Sequence, residues 1–89
     1  MMILTTDSKR HIETLIRHGA EIKVPDGTSF PLTESFCEEA AGRCISGGYN
    51  AVTYDLLLPG VDDPMMIAIW KDGHIDSGSV KGVCAALDR

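Results

Sequence analysis

The 89-residue chain sets 13 acidic against 8 basic side chains, for a formal net charge of −5, with 44% hydrophobic and 24% charged residues. That composition fits one globular domain: too apolar for intrinsic disorder, and too short for a second core. The acidic balance argues against binding nucleic acid or anionic membrane surfaces, whose affinity comes from Lys and Arg, and it can steer the protein toward a basic partner.

Met2, Ile3 and Leu4 read as a short strand running into the cap residues Thr5, Thr6, Asp7 and Ser8. Over residues 8–18 the apolar positions Ile12, Leu15 and Ile16 keep helical spacing, and Gly19 follows as a stop. Ala20, Ile22 and Val24 alternate with Glu21 and Lys23, which predicts a half-buried strand over 20–24, a turn at Pro25-Asp26-Gly27 and a return strand over 28–32. Pro31 has no N–H for a ladder, so the return strand belongs at a sheet edge.

Thr33 and Ser35 both suit an N-cap, and Ser35 with Glu38 matches the S-x-x-E capping box, ahead of a helical stripe holding Phe36, Cys37, Ala40, Ala41, Cys44 and Ile45 that Gly47-Gly48 closes. Residues 51–58 carry apolar groups on both alternating faces, the pattern of a central strand. A turn-rich connection over 59–64 leads to a second two-faced strand over 65–71. Asp72-Gly73 then predicts a two-residue hairpin turn that pairs Lys71 with His74 and Trp70 with Ile75. Ser79 caps a last helix whose stripe is Val80, Val83, Cys84 and Leu87. Leu56, Ile67, Ile69 and Val83 are the expected core.

The order β-α-β-β-α-β-β-β-α predicts a single α+β domain over 1–89, with a mostly antiparallel sheet and helices covering one face. The first six elements follow the order of the ferredoxin-like split βαβ unit, an analogy of order that carries no function.

Cys37, Cys44 and Cys84 form an odd set without a CxxC, which suits a reducing compartment. The opening MMILTTDSKRH has too short an apolar stretch for a signal peptide, and no run approaches a membrane span, so the expected location is the cytoplasm. A thiol enzyme needs a base and an orienting acceptor beside its cysteine, and His74 and Asp76 share a strand face that could supply them. All three cysteines lie on apolar helix stripes, however, where a thiol is a small hydrophobe. His11 and His18 are seven positions apart on one helix, roughly 10.5 Å at 1.5 Å per residue, too far to share an ion. GxGxxG, GxxxxGK[ST], GxSxG and HExxH are all absent, so no cofactor or metal is expected.

What remains is the acidic material. Glu34, Glu38 and Glu39 in a first helical turn complement the macrodipole, whereas Asp62 and Asp63 have no such local role and lack calcium-loop spacing. The leading expectation is a non-enzymatic protein-binding module that acts on a basic, nucleic-acid-handling protein. Its binding surface is expected at Asp62 and Asp63 together with the outward side of the hairpin at Asp72, His74 and Asp76, with Glu34, Glu38 and Glu39 as a second acidic surface. Small acidic chains without catalytic motifs are common among phage-encoded and other accessory inhibitors, anti-CRISPR proteins included, an association of size and composition. Self-association is left open, and a thiol-dependent enzyme using a cysteine with His74 and Asp76 is the alternative.

Overall fold

Helix α1 (Thr6–Arg17) starts where the Thr5 hydroxyl accepts the Ser8 N–H at 3.1 Å, two residues ahead of the start read from the apolar spacing. The structure, a computed structural model, describes residues 2–88. Helix α2 (Glu34–Gly47) is capped by Thr33, whose hydroxyl accepts the Phe36 N–H at 3.1 Å. The Ser35–Glu38 capping box is therefore not formed: Ser35 lies inside the first turn, and the Glu38 carboxylate is used elsewhere.

Strands β1 (Glu21–Lys23), β2 (Ser29–Pro31), β3 (Ala51–Leu57), β4 (Met65–Trp70) and β5 (Ile75–Ser79) form one antiparallel sheet in the order β2-β1-β3-β4-β5. β3 is central and Pro31 stands on an edge strand, as the sequence implies. Helix α3 (Val80–Leu87) follows β5 directly, and the Ser79 hydroxyl caps it by accepting the Gly82 N–H at 3.2 Å. Among the described residues no helix is long and apolar enough to cross a membrane.

From the first helix onward the elements follow the expected order, but residues 2–4 form no strand. The Ile3 and Leu4 N–H groups each donate to Glu38 at 2.8 Å, and the Thr5 N–H reaches the Gly73 carbonyl at 3.3 Å. A side-chain carboxylate and a turn thus satisfy donors that a neighbouring strand would otherwise have to meet. Without that strand the split βαβ unit is not built, and β3 pairs directly with β1.

The β4–β5 hairpin also differs from its expected register. Ile75 stands opposite Ile69 rather than Trp70, and Lys71-Asp72-Gly73 form a three-residue loop closed by Trp70 N–H to His74 C=O at 2.9 Å. Asp72 Oδ1 accepts the His74 N–H at 2.9 Å and Gly73 adopts φ 87, the left-handed position such a loop requires. A one-residue slip exchanges faces, so this register turns Ile75 inward and Trp70 to the other side.

The main core lies on the face carrying Ile22, Leu56, Ile67, Ile69 and Ile75, which is covered through Ile12, Cys37, Ala40 and Ala41 of α1 and α2. Leu56, Ile67, Ile69 and Val83 are all buried as expected. Val83 nevertheless belongs to the opposite side. Helix α3 lies against β4 and β5, with Cys84 Sγ 4.0 Å from Met66 Sδ on the face where Ala68 is buried. The expectation of helices on one face is thereby corrected: α1 and α2 share one face, and α3 takes the β4–β5 half of the other. Ala68 is small enough to seat a helix there, and the remaining β2-β1-β3 half stays open.

Candidate partner-binding surface

On this open half, β1 and β3 place Lys23 opposite Asp55 in register, both exposed. Leu57 follows on the same face and is 42% exposed. The chain then leaves β3 through a type II turn: the Val61 N–H donates to the Leu58 carbonyl at 3.1 Å around Pro59 and Gly60, and Gly60 sits at φ 81. This turn pushes Val61 outward to 45% exposure and carries Asp62 and Asp63 alongside the open sheet face. The Val80 N–H bonds the Pro64 carbonyl at 3.4 Å and so ties the loop to the start of α3.

Loop and sheet together enclose a groove of about 290 Å³ whose walls include Lys23, Asp55, Leu57, Val61, Asp62 and Asp63. Three carboxylates thus face one ammonium. Beyond Lys23 and Asp55 a second hollow of about 250 Å³ continues toward Thr53 and Pro25. On the other side of Val61 a largely apolar hollow of about 280 Å³ opens between the end of α1 and the loop, lined by Thr14, Leu15, His18, Leu58, Pro59 and Val61. Val61 is therefore a ridge between an acidic groove and an apolar one.

The other expected site residues fall elsewhere. Asp72 and His74 are exposed at the hairpin tip, where the His74 ring lies 5.2 Å from that of Trp70, and Asp76 is half-buried on β5. The hairpin tip and the Asp62–Asp63 loop lie at opposite ends of β4, about 20 Å apart at ~3.3 Å per residue, so they do not make one patch. Glu34 and Glu39 are exposed beside a shallow hollow at the start of α2. Glu38 is committed to Ile3 and Leu4 and serves the fold.

The cysteines separate by environment. Cys37 and Cys44 are buried, and Cys44 Sγ approaches the Ile69 carbonyl at 3.7 Å. Burial, with Glu34 and Glu38 nearby, pushes the Cys37 thiol up to about 12, and burial also raises Cys44. Both helix α2 cysteines lie across the sheet from His74 and Asp76. Cys84 is exposed on α3, contrary to the expectation that its apolar stripe buries it, and its Sγ contact is with Met66.

Sequence reasoning missed Asp55 and Lys23, which are ordinary alternating strand residues until β1 and β3 pair, and it missed the ridge at Val61. It also linked His11 only to His18, whereas the structure pairs His11 Nε2 with Ser77 Oγ on β5 at 2.6 Å. Among the described residues no group of His, Cys, Asp or Glu side chains is arranged to hold a metal ion. Compared with protein-family models, with curated proteins and with solved structures, the chain matches none.

Proposed function

We propose that the protein is a non-enzymatic, cytoplasmic binding module that engages a protein with a basic surface, of the kind that handles nucleic acid. Its size and acidity are those of phage-encoded inhibitors such as anti-CRISPR proteins. The observation that carries the reading is the juxtaposition at Val61: Asp55, Asp62 and Asp63 outnumber Lys23 in one groove, and an apolar hollow opens beside it. A partner segment placing Lys or Arg in the groove and a bulky apolar side chain in the hollow matches both, an anchored centre with a charged rim.

The test starts from the full chain as bait in host lysate, with the captured protein then purified and its association rate measured. Changing Asp62 and Asp63 together to Lys slows association several-fold at low salt, and raising ionic strength shrinks the difference. Replacing Val61 with Asp speeds dissociation. A partner that binds the double variant with the parent's rate and salt dependence excludes this surface and moves attention to Glu34 and Glu39.

A further inference from the structure

The two edges of the sheet are not equivalent. In an antiparallel pair, residues alternate between bonding one neighbour and the other. The Val24 N–H bonds Thr28 and the Leu32 N–H bonds Ala20, so on β2 it is Ser29 and Pro31 that face away from β1. Pro31 has no N–H, which leaves one outward donor on that short strand. On β5 the Trp70 N–H bonds His74, so Asp76 and Gly78 face β4, and Ile75, Ser77 and Ser79 present their backbone outward. None of those three N–H groups has a hydrogen-bond partner among the described residues. β5 also lacks the devices that usually blunt an edge: it has no Lys, no Pro and no bulge in its pairing with β4.

We infer that β5 pairs with β5 of a second copy of this chain, antiparallel and centred on Ser77, joining two five-stranded sheets into one. The sequence of the strand favours that register. With Ser77 opposite Ser77 of the second copy, Ile75 meets Ser79, and Asp76, the strand's one charged residue, meets Gly78, which has no side chain. A shift by one outward pair in one direction sets Asp76 against Asp76, a like-charge contact that disfavours it. Four hydrogen bonds result: the two Ser77 N–H groups to the Ser77 carbonyls, and the two Ser79 N–H groups to the Ile75 carbonyls. The Ser79 carbonyl stays with α3, whose first turn it begins.

Two chains of charge −5 repel, so self-pairing strengthens as salt rises, the opposite of the response expected for a basic partner. Light scattering across micromolar to millimolar protein should show the mass rising from 9.6 kDa toward twice that value, at lower concentration in higher salt. The amides of Ser77 and Ser79 should gain protection from hydrogen exchange with concentration. Ser77→Pro, which removes only an outward N–H from the backbone, should abolish the dimer. Ser77→Ala, which loses the His11 contact but keeps the N–H, should retain it. A mass fixed at 9.6 kDa with concentration-independent exchange at these amides overturns the inference, as does a dimer that survives in folded Ser77→Pro. If Ser77→Pro does not fold, the exchange of the parent protein decides.

Discussion

The Leu4 N–H donates to Glu38 Oε1 at 2.8 Å across a separation of 34 residues, and the Ile3 N–H donates to the other oxygen of the same carboxylate at 2.8 Å. This clamp, with the Gly73 carbonyl on its far side, holds the N-terminal segment so that Leu4 is only 6% exposed. Hydrogen bonds to a charged acceptor are worth about 1.5–3 kcal/mol each when buried, and these are partly exposed. Glu38→Ala should therefore lower stability by about 2–4 kcal/mol in urea unfolding and speed hydrogen exchange at Ile3 and Leu4. Unchanged exchange there would show that the carboxylate is not what holds the segment.

Gly73 meets the same segment from the hairpin. Its φ of 87 is unfavourable for other residues, and a Cβ on it would collide with the Ile3 carbonyl. Gly73→Ala should cost at least ~3 kcal/mol, combining backbone strain with the lost docking of the turn. Gly73→Asn separates the two effects: Asn tolerates the left-handed region but still collides, so it should recover little.

Leu56 stands in the central strand at 2% exposure, between Ile22 of β1 and Met65 of β4. Truncation to Ala should destabilise the fold by about 2–5 kcal/mol, read as a lowered thermal midpoint. An unchanged midpoint would contradict the placement of this side chain in the core.

Cys37 gives stability an alkaline limit. Its thiol titrates near 9.0 when unfolded and is held up to about 12 in the fold, so below pH 9 both states keep the proton and the stability is complete. Between those values the unfolded state alone loses its proton, and stability falls by at most about 1.4 kcal/mol per pH unit from this group. Other groups titrate in the same window, so the measurement is the difference in slope between the parent and Cys37→Ala, with the parent steeper. Native alkylation at neutral pH should modify Cys84 first and reach Cys37 and Cys44 only on unfolding, and reductant should leave stability unchanged because all three thiols are free. Rapid native labelling of Cys37 would contradict its burial.

The elements whose causes are local were legible in the sequence. The alternation around Ile22, the two-faced run through Leu56, Ile67 and Ile69, the Ser79 cap and the missing N–H of Pro31 each act over a few residues, and the structure uses them as read. Of the candidate site, Asp62 and Asp63 were visible because a turn-rich loop has no dipole to absorb their charge. Tertiary packing decided the rest. Whether residues 2–4 pair as a strand depended on Glu38 reaching them from another helix. The hairpin register depended on burying Ile75, against the two-residue turn that Asp72-Gly73 suggests locally. Asp55 and Lys23 became part of a groove only when β3 paired with β1 and α3 settled over β4 and β5, leaving that half of the sheet bare. Periodicity states which side of an element is apolar. Which partner covers that side, and what stays uncovered beside it, follows from contacts between residues far apart in the chain, which no local spacing encodes.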